Sequence, residues 1–456
     1  LINKNILGIN GVKISTVSIR TYPYDKVASH IVGYVQNVNA EDLKKHKNEG
    51  YNSTSVIGRN GIEAAYEEKL KGITSGKIEA VYEKQLRGSS SGKIDLVNKN
   101  DKVIENLCAI EIDEGPQDIT LTIDIDLQQS LYNEYQNDKS ASVALNPKTG
   151  EVLALVSTPS YSNNDFVLGL STDKWNALNN DSNQPLMSRY KQTYTPGSTM
   201  KPITAAIGLE TKIIDPDKDL GAKDKWQKDS SWGNYYVTTL HAPSPNNLKN
   251  AITYSDNVYF ARSALTIGKD NLFKYYKNLK IGEKIPFELA LNKSQYINKN
   301  QKVNDQFIAD SGYGQGQILM NPVQLASIYS SFVNEGSIYQ PHIVQGKTKT
   351  WIKNIFSKET TKTIKEDLIN VIADEKGTGH SIYHDNVTLA GKTGTAEIKQ
   401  SQSDTTGKEL GWFIVMTTDS KQPLLITTLV EDVKDRGGSG YVVEHTKTPL
   451  DLYLSK

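Results

Sequence analysis

Apolar residues recur along this chain in two rhythms, one of helices and one of strands. Residues 194–210 are the most informative stretch. Pro196-Gly197 is a turn signal, and the alanine-containing apolar run behind it predicts a buried helix. Ser198 then opens that helix, and Pro202 falls in its first turn, where a missing N–H costs little. Downstream, residues 248–252 read as a short helix, and a second apolar helical run follows Asn257. Residues 142–145 and 152–156 flank Asn146-Pro147-Lys148-Thr149-Gly150, which predicts a hairpin of two buried strands about a Pro/Gly turn. Residues 118–124 alternate like a strand, and Asp124 is placed to cap a helix running through Leu127, Leu131 and Tyr135. An apolar strand start at Val387 gives way to Lys392-Thr393-Gly394-Thr395.

The first 117 residues read differently, as strand-rich and turn-rich. Residues 14–20 alternate, and residues 28–35 form a β-branched, aromatic-bearing run that reads as a strand. Tyr66-Glu67-Glu68-Lys69-Leu70-Lys71-Gly72 nearly recurs as Tyr82-Glu83-Lys84-Gln85-Leu86-Arg87-Gly88, and each copy leads into Ser-Gly-Lys-Ile. Two copies are too few for a solenoid, so a pair of similar units in an elongated support domain is expected. Arg20 and His30 read as hydrogen-bonded structural residues. The pattern therefore predicts an α+β protein: residues 1–117 a non-catalytic support, residues 118–456 a domain of sheet plus helices.

Composition narrows the chemistry. A chain of 456 residues has ample material for two or three domains. Lys+Arg and Asp+Glu both total 52, so charge gives no argument for nucleic acid or an anionic surface as partner. Cys108 is the only cysteine, which excludes an internal disulfide and a cysteine-based metal site. The seven histidines lack ligand spacing, and neither a phosphate loop nor a His-Glu-x-x-His motif occurs; no metal or cofactor is expected. No apolar run approaches the ~20 residues needed to span a bilayer. A chain that begins with Leu1 reads as a piece of a longer protein.

Three polar clusters form an ordered set. Ser198 and Lys201 lie three residues apart at a helix start and so project from one face. Ser255 and Asn257 sit in the connection between two helices. Lys392 and Gly394 share one face of a strand, with Thr393 and Thr395 on the other. Single matches are cheap: Ser90/Lys93, Ser171/Lys174 and Ser188/Lys191 also give Ser-x-x-Lys, Lys148-Thr149-Gly150 gives Lys-Thr-Gly, and Ser162-x-Asn164 and Ser244-x-Asn246 give Ser-x-Asn. Only Ser198 opens a buried helix, and only Lys392 follows a strand start. The set supplies an acyl-transfer site. Ser198 would attack a carbonyl and Lys201 would take its proton, provided that burial and the cation of Lys392 keep Lys201 neutral. Ser255 would relay that proton to the leaving nitrogen, and Asn257 would hold Lys201 and the substrate backbone. Thr393, Thr395 and Lys392 would bind a substrate carboxylate, and Gly394 would let a ligand approach the strand. The N–H groups of Ser198 and Thr395 would form an oxyanion hole, one such donor being worth about 3 kcal/mol.

Ser198-Thr199-Met200-Lys201, Ser255-Asp256-Asn257 and Lys392-Thr393-Gly394-Thr395-Ala396-Glu397 together resemble the three signatures of penicillin-binding proteins and serine β-lactamases. Arg20-x-Tyr22-Pro23, His30-x-x-Gly33-Tyr34 and Gly58-Arg59-x-Gly61-x-Glu63-x-x-Tyr66 resemble the pedestal (dimerisation-type) domain of class B penicillin-binding proteins. Tyr313-Gly314-Gln315-Gly316-Gln317 with Asn321-Pro322-Val323-Gln324 resembles their transpeptidase domain. Trp226-Gln227-Lys228-Asp229 with Ser231-Trp232-Gly233 is similar to the low-affinity subgroup that includes the staphylococcal methicillin-resistance transpeptidase. The resemblance implies an antiparallel sheet flanked by helices, with Ser198, Lys201, Ser255 and Lys392 catalytic, and Asn257, Thr393, Gly394 and Thr395 binding substrate. It places Tyr235 where the subgroup has a groove-gating tyrosine, a packed aromatic being the alternative. It also implies cross-linking of peptidoglycan stem peptides ending in D-Ala-D-Ala, acylation by β-lactams, a glycosyltransferase partner, and an extracytoplasmic location on a membrane anchor outside this chain. A β-lactamase, a β-lactam sensor and a binding module with a dead site are the rivals; the long N-terminal part argues against the first two, and the filled polar positions against the third.

Overall fold

The structure, a computed structural model, describes residues 19–47, 49, 51–71, 91–97, 103–111, 118–398, 407–418 and 421–456. Residues 14–18 of the alternating run and the second copy of the repeat lie outside them. The core of the larger domain is a five-stranded antiparallel sheet, with strands in the order Leu389–Ile398, Lys408–Thr417, Leu425–Glu431, Ser140–Leu145 and Val152–Thr158. The expected 142–156 hairpin is its far pair. Alternation along Lys408–Thr417 explains how one sheet serves two cores: Trp412, Ile414 and Met416 point to one face, and Phe413 and Val415 to the other. The second face carries Ile125–Tyr135 and Ser439–Leu454, through Leu127, Leu131, Val442 and Leu450. The first face carries the helices Lys201–Glu210, Pro322–Ser330 and Lys358–Ala373. The layout is the expected one, an antiparallel sheet flanked by helices.

Two expected strands take other forms. Residues 118–124 make one isolated bridge, Leu121 with Val344, and are otherwise held by single bonds such as Thr122 N to Ile343 O at 2.8 Å. Asp124 does cap the next helix, accepting from the N–H groups of Asp126 and Leu127 at 3.1 Å each. Residues 28–35 fold instead as the end of a helix, Asp25–Val32, followed by the strand Val35–Asn37. Its β-branched residues are overridden by packing, since Ser29, His30 and Ile31 at its C-terminal half are buried. The described part of the N-terminal region mixes short helices with paired strands. Four short helices, Asp25–Val32, Ala40–Lys45, Gly61–Ala65 and Glu67–Lys71, alternate with the strand pairs Val35–Asn37/Val56–Gly58 and Ser91–Val97/Val103–Glu111.

The helix Asp25–Val32 docks on the larger domain beside the sheet's Val152–Thr158 edge. Gln128 Nε2 donates to Val27 O at 2.8 Å, and Tyr190 Oη donates to His30 O at 2.5 Å. His30 is buried edge-on to Tyr161, and burial with Lys191 and Arg189 nearby pushes its pKa down to about 3. Arg20 pairs with Glu63 at 3.1 Å. Both residues are structural, as their sequence context indicates. No helix among the described residues is long and apolar enough to cross a membrane.

Arg189 ties the loop before the serine helix to the sheet. It is fully buried, with Nε 3.1 Å from Glu431 Oε1 and the other nitrogens donating to the carbonyls of Asn183 (2.7 Å) and Gln184 (3.3 Å). Arg189→Ala strands those acceptors and should cost about 3 kcal/mol of stability, read as an unchanged denaturant slope with a lower midpoint.

Candidate active site

Ser198 lies on a 3₁₀ turn, Gly197–Met200, that runs directly into the α-helix Lys201–Glu210. Its neighbours are fixed from three sides. Trp412 Nε1 donates to Thr195 O at 2.9 Å, Tyr329 Oη to Thr199 O at 2.6 Å, and Gly197 N to Gly314 O at 3.0 Å. Gly197 and Gly314 both have left-handed backbones, with φ of +53° and +77°. A Cβ on Gly197 would come 2.5 Å from Thr395 O, and one on Gly314 would overlap the Gly197 carbonyl oxygen. Gly394 is bare for a related reason: a Cβ there would sit 2.8 Å from Thr199 Cγ2. The serine turn packs against Gly394 on the side where a Cβ would stand. Thr395 is on the sheet's edge strand, and its carbonyl faces Gly197. N–H and C=O of one strand residue point to the same side, so Thr395 N–H faces the serine turn as well.

Two buried lysines meet on one hydroxyl. Lys201 Nζ donates to Ser255 O at 2.6 Å and to Ser255 Oγ at 3.0 Å. Lys392 Nζ lies 3.0 Å from the same Oγ and 3.0 Å from Thr393 O. Ser255 sits between the helices Leu248–Thr253 and Asn257–Asn278 with φ +60°, a left-handed conformation that costs a serine free energy. Asp256 beside it is buried. It caps the second helix through Val258 N and Tyr259 N, and its other oxygen accepts from Asn246. Burial holds the Lys201 pKa well below the ordinary lysine value; Lys392 adds to this and Asp256 opposes it. Burial likewise pushes Lys392 down to about 7. The Ser198 hydroxyl is half-buried and has no hydrogen-bond partner among the described residues, so Lys201 is engaged with Ser255 and not with Ser198.

Two expected binding residues are occupied elsewhere. Asn257 is the first residue of its helix and turns outward, its Nδ2 donating to Thr238 O at 2.9 Å and not to Lys201. Tyr235 is a packed aromatic: its ring lies 5.6 Å from Trp232, edge to face, and its hydroxyl donates to Asp310. Thr393 and Thr395 stay at the site. Thr393 Oγ1 is 2.7 Å from Thr378 Oγ1, and Thr395 is half-buried beside Gly438.

Sequence reasoning passed over Thr378, Asp256, Tyr329 and Trp412. Gly377-Thr378-Gly379, a threonine between glycines in a turn after a helix, was the one available signal. The cheap matches have other uses where described. Ser171 caps a helix by accepting from Lys174 N, Lys148-Thr149-Gly150 forms the predicted turn, Asn164 binds the Tyr22 backbone, and Asn246 binds Asp256.

Residues 140–448 match the family model described as the penicillin binding protein transpeptidase domain, and residues 1–78 the one described as the penicillin-binding protein dimerisation domain. The chain belongs to the class B penicillin-binding proteins. It is 41% identical to penicillin-binding protein 3 of Bacillus subtilis over 96% of this chain and 63% of that protein. It is 29% identical to the peptidoglycan D,D-transpeptidase MrdA of Haemophilus influenzae, over 98% of this chain and 72% of that protein. The chain therefore spans less than two thirds of the B. subtilis relative. Among solved structures, the Helicobacter pylori penicillin-binding protein PBP2 in complex with MreC superposes with a TM-score of 0.81 at 25% identity, over 99% of this chain and 82% of that one. PBP2 of Pseudomonas aeruginosa shares the fold, with a TM-score of 0.76.

In this member of the family the serine turn has no room for a side chain at Gly314. Gly314→Ala should abolish covalent penicillin labelling while the circular dichroism spectrum stays native; native labelling would show that the turn does not depend on that contact.

Proposed function

We propose that the protein is a serine-type peptidoglycan D,D-transpeptidase, acylated and inhibited by β-lactams. The observation that carries this reading is the Ser255 hydroxyl held between two buried, pKa-lowered lysines beside the turn of Ser198. A stem peptide ending in D-Ala-D-Ala would lie along the edge strand, its carboxylate at Lys392, Thr393 and Thr395. Ser198 Oγ attacks the penultimate carbonyl carbon as its proton passes to neutral Lys201. The oxyanion is held by the N–H groups of Ser198 and Thr395. When the C–N bond breaks, the proton reaches the leaving amine through Ser255, freeing D-Ala and leaving an ester on Ser198. An amine of a neighbouring strand then attacks that ester by the reverse proton path, forming the cross-link and restoring the serine. Gly394 would contribute to binding, and Asn257 only after the local shift that its present contact requires.

The pedestal, which we place at residues 1–117 with the transpeptidase domain at 118–456, favours this reading over a β-lactamase or sensor. The finer assignment to the low-affinity subgroup is supported by Trp226–Gly233 and by the bonds at Thr195, Thr199 and Gly197, which resist movement of the serine turn. Location on the outer face of the membrane, an anchor beyond this chain, a glycosyltransferase partner and an MreC-type partner complete the proposal. Penicillin treatment followed by peptide mass spectrometry should place one adduct on Ser198, and a label on Ser198→Ala would overturn the assignment. Lys201→Ala should slow acylation by about 10²- to 10⁴-fold.

The pH dependence follows from the two lysines. Below both lowered pKa values each is charged and no base exists; above both, the positive charge for the carboxylate is gone. Acylation should therefore be bell-shaped in pH around neutrality, its limbs belonging to the pair. A rate that is flat from pH 5 to pH 9 would remove lysine from the base role.

A further inference from the structure

One half-buried carboxylate outside the three signatures joins two parts of the site's surroundings. Asp310 lies on the helix Asp305–Gly312, and a single oxygen, Oδ1, accepts hydrogen bonds from the phenols of both Tyr235 and Tyr313, the latter at 2.6 Å. Burial, and then Asp310 beside them, raise the pKa of each phenol, so both remain O–H donors. The backbone carbonyl of Asp310 also accepts from Tyr313 N (3.3 Å) and Gln315 N (3.0 Å), closing the turn that contains Gly314. Gly314 is the residue whose carbonyl receives Gly197 N. On its other side, Tyr235 belongs to the segment between the paired strands Lys225–Trp226 and Val237–Thr238. That small hairpin packs Trp226, Trp232 and Tyr235 together against Val258 and Ala309, and its Thr238 carbonyl takes the amide of Asn257.

We propose that Asp310 is a positioning residue for acylation: through Tyr313 it sets the Gly314 turn that supports Ser198, and through Tyr235 it holds the 225–238 hairpin over the Ser255–Asn257 connection. The two arms have different consequences. The Tyr313 arm bears on the nucleophile, so its loss slows the acylation step itself. The Tyr235 arm bears on the hairpin whose Thr238 carbonyl holds Asn257, so its loss weakens binding of the acylating agent before any bond forms. Asparagine at 310 keeps an oxygen where both phenols can reach it; alanine does not.

The proposal rests on Ser198 as the nucleophile, and the experiment separates the two claims. Penicillin acylation of the whole chain is resolved into a first-order rate constant and a half-saturating concentration. Tyr313→Phe should lower the rate constant, Tyr235→Phe should raise the half-saturating concentration, and Asp310→Ala should do both, with a combined loss of at least about tenfold. Asp310→Asn should restore both constants, a rescue that a general loss of folded protein would not show. Wild-type constants in Asp310→Ala, or no rescue by asparagine, would overturn the proposal. Trp226 and Trp232 give a second readout that needs no chemistry: Asp310→Ala and Tyr235→Phe should red-shift tryptophan emission, and Asp310→Asn should not. If the wild-type protein takes no penicillin on Ser198, the functional reading fails, and the emission spectra still decide whether Asp310 holds the hairpin. Unshifted emission in both variants would mean that it does not.

Discussion

The site depends on one hydroxyl shared by two lysines. Ser255 Oγ has a lysine nitrogen 3.0 Å away on each side, and both lysines are fully buried. A hydroxyl offers two lone pairs and one proton, so it can accept from both ammonium groups, or accept from one and donate to a neutral amine. Two positive charges at this spacing repel in a dry interior, which acts with burial to lower the Lys201 pKa. Asp256 lies close enough to offset one charge, but its oxygens are already engaged with two backbone N–H groups and Asn246. Its influence on Lys201 is therefore through space and partial.

Holding that pair demands an unusual backbone. The αL conformation of Ser255 persists because both flanking helices are anchored independently, one by Asn247 and the other by Asp256. The serine turn is constrained by different means. It lies between the edge strand and the 313–317 segment, and a side chain would fit at neither Gly314 nor Gly394. Trp412 and Tyr329, both in the buried core, reach out to the carbonyls of Thr195 and Thr199. These bonds give Ser198 a fixed address relative to the sheet.

Much of this was legible in the sequence, because Ser198, Ser255 and Lys392 each occupy a local context that one-dimensional patterning describes. Pro-Gly before an apolar run, a polar link between helices and a strand start are local features, and the structure has them where the pattern says. The failures are equally physical. Asn257 is the right residue type near the right motif, but its amide is engaged by the Thr238 carbonyl, and Tyr235 takes the packed form that the sequence left open. Gly394 also makes room for Thr199, which its spacing did not reveal. Residues 28–35 have strand-forming composition and fold mainly as helix, since burial against the larger domain outweighs β-propensity. Thr378, Tyr329 and Trp412 act on the site across long separations that no spacing rule reaches.

The position of the catalytic segment at the sheet's edge has a physical reason. An interior strand pairs its backbone on both sides and has no N–H left to offer; an edge strand keeps one row free. Leu389–Ile398 is such an edge, and its Thr395 carbonyl, hence its N–H, faces the serine turn. The opposite edge, Val152–Thr158, is the one beside which the helix Asp25–Val32 docks, with Tyr190, Gln128 and Tyr161 supplying its bonds. Four strand spacings of ~4.8 Å put about 19 Å between the two edges. Both exposed edges are thereby used, one for the pedestal and one for chemistry, and neither is left as an open template for another chain. A pedestal docked on the catalytic edge would cover the very N–H groups that an acyl-transfer site needs, so this sheet order is the one that lets a single chain carry both parts.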